Sequence, residues 1–185
     1  MKKKCIRALL GLALTAIAFA ASAQYQPHNS IYLGASVGNA HYTNGCSFGP
    51  PPCDDRDTSG RFFAGLQFNR WLAVEAGWGT FGKLAVGGTE IKASAADLVG
   101  VLNVPVGGAF SAFLKGGAYH GDMKATGIDA RKDGGTFGWG LQYNASERAA
   151  LRAEWQRYVR MGGGSDLPDT THIDFLSIGL LIRLR

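Results

Sequence analysis

The stretch that most restricts what this chain can become is Arg61–Thr80, RFFAGLQFNRWLAVEAGWGT. It alternates on both sides of a tight turn at Asn69-Arg70. Phe62, Ala64, Leu66 and Phe68, then Leu72, Val74, Ala76 and Trp78, make one parity. Phe63, Gly65 and Gln67, then Ala73, Glu75, Gly77 and Gly79, make the other. A period of two marks strands with one apolar face. A soluble sandwich or a soluble ligand-binding barrel would turn the apolar parity into a core and would not set a Glu opposite it. A second parity of small residues, an amide and a carboxylate suits the lumen side of a membrane barrel.

The same rhythm recurs. In Ser30–Tyr42, Ile31, Leu33, Ala35 and Val37 alternate with Tyr32, Gly34, Ser36 and Gly38. In Ser94–Val104, Ala96, Leu98, Gly100, Leu102 and Val104 oppose Asp97, Val99, Val101 and Asn103. Ala109–Met123 is settled by Lys115, because a lysine facing lipid at mid-depth costs about 2–4 kcal/mol. Its parity with Phe113, Gly117 and Tyr119 is therefore read as inward, and Phe110, Ala112, Leu114 and Ala118 as outward. Gly135–Tyr143, Ala149–Tyr158 and His172–Arg185 follow, the last with Leu176, Ile178, Leu180, Ile182 and Leu184 on one face. With the two strands of the opening hairpin this makes eight.

The connections run long, short, long, short, long, short, long. The short ones are Asn69-Arg70, Pro105–Gly108 and Asn144–Arg148; the long ones include Gly82–Ala93, Lys124–Gly134 and Met161–Thr170. That rhythm puts every tight turn and both termini on one side, as in outer-membrane barrels with periplasmic turns and longer external loops. Only a closed barrel satisfies every backbone group in lipid. Aromatics near the strand ends suit interfacial girdles: Phe68, Trp71, Phe110 and Tyr143 by the short turns, and Phe62, Trp78 and Phe137 toward the long loops. The first loop, NGCSFGPPPCDDRDTSG, holds three prolines, which a sheet interior excludes, and the only cysteines beyond Cys5. In an oxidising compartment Cys46 and Cys53 read as a disulfide that stiffens the loop. A metal site is the competing reading, but no His or third Cys stands at ligand spacing.

The first residues, MKKKCIRALLGLALTAIAFAASAQ, have a basic start, an apolar run from Ala8 to Ala20 and the small-residue signal Ala21-Ser22-Ala23. This is the pattern of a secretory signal peptide spanning 1–23, with the barrel domain occupying 24–185. The apolar run is too short for a membrane anchor, and Cys5 precedes it, which excludes a lipoprotein signal. Removing 1–23 leaves fifteen basic against fourteen acidic residues, a net of +1 against +5 for the whole chain. The basic balance sits largely in the signal, so no nucleic-acid partner is inferred. No later segment has the ~20 consecutive apolar residues of a membrane helix.

GLQFNRWLAVEAGW (65–78), LNVPVGGAFSAFLKGG (102–117), FGWGLQYNASERAALRAEWQ (137–156) and LSIGLLIR (176–183) resemble the membrane domain of OmpA-like outer-membrane proteins. The resemblance covers nearly all of the chain beyond the signal. It implies an all-β fold, an eight-stranded antiparallel up-and-down transmembrane β-barrel inserted by the barrel-assembly machinery. Three departures stand out. No peptidoglycan-binding domain follows the last strand. The chain ends Ile182-Arg183-Leu184-Arg185 rather than in the family's aromatic. Val101 and Gln142 fall where the family carries an interior lysine and a carboxylate.

Glu75, Arg152 and Glu154 fall on the family's interior charge positions, and Lys115 stands at a similar height above its own turn. In a narrow lumen these four form a charge cluster, since buried charges must pair or lose their charge. The bland reading is a structural salt-bridge plug; the sharper one is a gate whose re-pairing opens a water path. An enzyme is not expected. Outer-membrane barrels with lipase or acyltransferase activity use a His and a Ser, and none of His28, His41, His120 and His172 stands two residues from a serine on one strand face. His41 and His172 are expected as rim neighbours where the last strand meets the first. Asp54, Asp55 and Asp57 read as a solvated acidic loop, with a hard cation or bridged lipopolysaccharide as the alternative.

The expectation is a monomeric, integral protein of the Gram-negative outer membrane, without cofactor or metal, contacting lipid and lipopolysaccharide. Its role would be structural or envelope-stabilising, with scope for a narrow, gated, low-conductance pore. The alternative is a surface-interaction protein acting through its external loops, the Cys46–Cys53 loop above all.

Overall fold

Eight strands pair in chain order, each antiparallel to the last, and the eighth returns to the first. The computed structural model describes residues 29–43, 45–48, 53–86, 89–125, 128–161 and 171–184. The signal segment 1–23, the boundary at Gln24, His28 and residues 162–170 of the last connection lie outside the described residues. The strands are β1 (Ser30–Thr43), β2 (Arg56–Gln67), β3 (Leu72–Val86), β4 (Thr89–Gly107), β5 (Phe110–Ala125), β6 (Ile128–Asn144), β7 (Ala149–Tyr158) and β8 (His172–Leu184). β8 closes on β1 from Ile31 opposite Leu184 to Thr43 opposite His172. Closure leaves the spanning part of the sheet without an edge, the condition for a sheet to sit in hydrocarbon.

The short turns are built by their own residues. The Asn69 side-chain oxygen accepts the Trp71 and Leu72 amides at 2.8 and 2.9 Å, and the Gln67 amide donates to the Asn69 carbonyl at 2.7 Å. Ser146 does the same job between β6 and β7, its hydroxyl accepting the Arg148 and Ala149 amides. Between β4 and β5 the chain reverses at Gly107 and Gly108, both in the positive-φ region that favours glycine.

Outside, an apolar belt circles the barrel: Ile31, Leu33, Phe62, Leu66, Val74, Leu98, Leu114, Leu141, Leu151, Ile178 and Leu180 all face outward and exposed. On β8 it runs from Leu176 to Leu184, roughly 20 Å along the membrane normal for a strand tilted about 40°. The aromatics read as girdles are outward too, Phe68, Trp71, Phe110 and Tyr143 at one margin and Phe62, Trp78 and Phe137 at the other.

Two expected loops are mostly strand. Gly82–Ala93 and Lys124–Gly134 belong largely to β3, β4, β5 and β6. The rhythm of long and short connections therefore reflects strand length more than loop length. The reason is an inversion of parity. Within the belt apolar residues point out and polar ones in. Beyond Trp78, Ala96 and Ala118 the inward positions become apolar, Leu84, Ala93, Ala95 and Met123, while Lys83, Glu90, Lys92, His120 and Lys124 point out. Charged-out and apolar-in is the pattern of a sheet in water, so these strands continue past the membrane. Asp54 and Asp57, expected in the loop, likewise lie in strand: Cys53–Asp54 pairs with Ala85–Val86, and Asp57 is in β2. Cys46, in a single helical turn at Gly45–Phe48, is bonded to Cys53, the two Cα atoms 5.7 Å apart.

Candidate functional site

The inward parity gathers three cations and three carboxylates at mid-barrel. Register does the gathering. Glu75 on β3 lies opposite Val99 of β4, which lies opposite Gly117 of β5, so Asp97 and Lys115 flank that level. Arg152 and Glu154 arrive at the same height on β7, opposite Gln142 and Gly140 of β6.

Glu75, with no exposed side-chain surface, is the hub. Its Oε2 accepts from Arg152 Nη1 at 2.6 Å and from the Tyr32 hydroxyl at 3.0 Å, and its Oε1 accepts from Arg61 Nη1 at 3.3 Å. Arg61 holds Asp97 with two bonds, Nη2 to Oδ1 at 2.6 Å and Nε to Oδ2 at 3.0 Å. Planar two-point pairing of this kind is the strong form of the arginine–carboxylate contact. The Tyr158 hydroxyl adds a third donor to Asp97 at 2.8 Å. Lys115 pairs with Glu154, and Arg152 Nη1 lies 3.9 Å from the second Glu154 oxygen. Gln142 accepts from Arg152 Nη2 at 3.2 Å. The six charges balance and form one connected network, the condition under which buried ions are tolerated.

The small residues of the second parity now have a cause. A Cβ on Gly77 would stand 2.3 Å from Arg61 Nη2, and one on Gly65 would stand 2.1 Å from the Tyr32 ring. The lumen of an eight-stranded barrel is only wide enough for side chains to fill it, and glycines make room for the long ones.

Apolar layers close the network above and below. Toward the short turns Phe63, Phe113, Val101 and Leu181 pack together, and the Arg152 guanidinium lies over the Phe113 and Phe63 rings at 4.6 and 5.1 Å. Toward the extended strands Tyr42, Phe81, Tyr119, Tyr158, Ile173 and Phe175 form a second core. Phe81 and Tyr158 meet at a tilt of 57° with ring centroids 4.7 Å apart, and the Tyr42 hydroxyl donates to the Phe81 carbonyl at 3.1 Å. Nearest the short turns, Arg183 donates to Asn144 Oδ1 at 2.6 Å. Within the network, Arg152 Nε and Gln156 Oε1 have no protein partner.

The structure thus brings Glu75, Lys115, Arg152 and Glu154 together and adds Arg61 and Asp97, which the sequence reasoning did not include. Their signal was present. Asp97 stands on the inward parity with Val99 and Val101, and Arg61 shares parity with Phe63 and Gly65. Val101 and Gln142 both face inward, one in the lower apolar layer and the other bonded to Arg152.

The other candidates are spent on local structure. Asp55 faces His41 at 3.4 Å, Asp54 accepts the Arg56 amide at 3.2 Å, and Asp57 accepts the Thr58 and Lys83 amides at 2.7 Å each. Among the described residues no group of three His, Cys, Asp or Glu side chains is placed to hold a metal ion. His41 and His172 sit near the β1–β8 seam, opposite Asp174 and Thr43. His120 meets Asp133 at 2.6 Å, exposed on the outer wall.

The OmpA-like transmembrane domain, as a family model, matches residues 26–185. The chain belongs to the OmpA-like transmembrane domain family. Outer membrane protein A of Shigella flexneri is 28% identical over 199 residues, covering 99% of this chain and 56% of that protein. The chain spans about half the length of the curated relatives it matches. Among solved structures, Neisserial surface protein A superposes with a TM-score of 0.66 at 16% identity, covering 83% of this chain and 97% of that one. The N-terminal β-barrel domain of Pseudomonas aeruginosa OprF gives 0.59 at 12% identity, covering 86% and 100%. Those two likenesses speak to fold. Family membership makes this chain an integral β-barrel protein of the Gram-negative outer membrane.

Proposed function

We propose that the protein is a non-enzymatic, structural element of the outer membrane whose lumen is held shut. The observation that carries this reading is the balanced network of Arg61, Glu75, Asp97, Lys115, Arg152 and Glu154 between two apolar layers. A water path would have to disrupt both ion pairing and aromatic packing, so a gate at the charges alone does not open the barrel. The short-turn side, with both termini, faces the periplasm. The parity inversion supports this reading, since outer-membrane barrels carry their longer extensions outside and the opposite margin here carries the strands that stand in water. Residues 1–23 act as a cleaved export signal, and the barrel works as a monomer inserted by the assembly machinery.

Deleting the protein from its host should raise entry of a large apolar dye or detergent, and restoring it should reverse the change. An unchanged barrier after deletion contradicts an envelope-stabilising role. A second reading has its own observation: β3 to β6 rise past the belt as a paired wall joined to the disulfide-bonded turn, a surface suited to contact with an external partner. If it holds, Cys46→Ser abolishes partner binding while insertion is unchanged; equal binding by the variant counts against it.

A further inference from the structure

At the outer margin of the belt, three lysines stand side by side on the outer wall. Lys83 on β3 is the register partner of Lys92 on β4, and Lys92 is the register partner of Lys124 on β5. All three point outward. Like charges directly opposite on neighbouring strands destabilise a sheet, and here one lysine has a like-charged neighbour on each side. Glu90 pairs with Lys83 at 2.8 Å and reaches Lys92 only through space, and among the described residues Lys92 and Lys124 form no ion pair.

The lysines rim a groove of about 410 Å³ that also includes Thr58, Thr80 and Ser94, with Trp78 as its floor toward the membrane. Trp78 faces lipid, 52% exposed, as an interfacial anchor would. The groove exists because β3 bulges between Thr80 and Lys83, at Gly82 with φ +70°. Asp57 packs into that bulge so closely that a Cβ on Gly82 would stand 2.5 Å from it. Its carboxylate is occupied there by the Lys83 and Thr58 amides. The other carboxylate lining the groove, Asp122, is bound by Arg131 at 3.0 Å. The acidic groups lining the groove are thus hydrogen-bonded by neighbours, while among the described residues the Lys92 and Lys124 ammonium groups form no ion pair.

We propose that this groove binds the phosphate groups of the lipid A portion of lipopolysaccharide, the lipid of the outer leaflet. The height of the site selects the ligand: ammonium and hydroxyl donors sit one step above a lipid-facing tryptophan, where a phosphorylated headgroup meets its acyl chains. Basic pockets at that level recognise anionic headgroups. A phosphate bridging Lys92 and Lys124 would also relieve their repulsion, which no ion pair among the described residues does. The site rests on the orientation proposed above, with the extended strands outside.

The test uses the whole folded protein in neutral detergent micelles, which have no sides, so that it stands apart from orientation. Native mass spectrometry would follow binding of purified lipid A bearing two phosphates, of the same lipid A after phosphatase treatment, and of phosphatidylglycerol. Wild-type protein should retain the bisphosphorylated lipid A about tenfold more strongly than Lys92→Gln/Lys124→Gln. The Arg70→Gln control, at the opposite margin, should bind as wild type. Equal retention by the double variant overturns the proposal, as does equal retention of dephosphorylated lipid A. Phosphatidylglycerol binding as well as lipid A, or an equal loss in Arg70→Gln, would reduce the groove to general charge attraction and overturn it too. Orientation is read separately, by labelling a cysteine at position 92 in whole cells: a label excluded from outside contradicts the orientation while leaving the binding result intact.

Discussion

Glu75 carries more of this structure than any other side chain. It accepts from Arg152, Arg61 and Tyr32 with no exposed surface of its own. Removing it leaves two guanidinium groups short of their counter-charge in a narrow lumen. Glu75→Ala should lower stability by about 3–5 kcal/mol, read as a drop in the urea midpoint of the folded band on an unheated gel. Replacing Gly77 tests the same point from the other side. Gly77→Val drives two methyl groups against Arg61 and should shift the midpoint in the same direction, by about 1–3 kcal/mol. Equal midpoints for both variants and wild type would remove the network from any account of stability. Much of this was legible before the structure: turn-relative heights placed Glu75, Lys115, Arg152 and Glu154 together. Arg61 and Asp97 were not, because each stands near the outer end of its strand as the sequence bounds it, although β2 and β4 run on past both, and heights counted from the turns rank them above the cluster. Side-chain length carries Arg61 back down to Glu75, and counting residues does not register length.

The strands themselves were legible where lipid imposes apolar-out alternation; β7 and the starts of β1 and β8 stand where the sequence put them. The pattern failed where lipid ends. Gly82–Ala93 and Lys124–Gly134 look like loops because their outward residues are charged and glycines are frequent. Their inward residues, Leu84, Ile91, Ala93 and Met123, still alternate and pack on the Tyr42–Phe81–Tyr158 core. Phe81→Ala should therefore loosen the extended strands, costing about 3–5 kcal/mol. Hydrogen exchange would reveal it, with protection lost first in β3–β6 beyond the belt and retained around Glu75. A uniform loss along the barrel would mean that the extension has no core of its own. At the opposite margin, Asn69→Ala removes the acceptor for two turn amides and should cost about 1 kcal/mol, measured in the same urea assay.

At the scale of the whole molecule, the barrel is a membrane belt on the outside and a filled column on the inside. Beyond the polar end where Arg183 meets Asn144, three layers fill the column: apolar side chains toward the short turns, six balanced charges at mid-height, and an aromatic core toward the extended strands. The parity inversion along β3–β6 was written in the sequence, but only pairing turned it into a wall rising past the membrane. The most direct test of a sealed column is single-channel recording of the purified, folded protein in a planar lipid bilayer. Wild-type protein should give no discrete conductance steps, and neither should Glu75→Ala alone, because the aromatic core remains. Regular unitary openings of wild-type protein would contradict the sealed lumen.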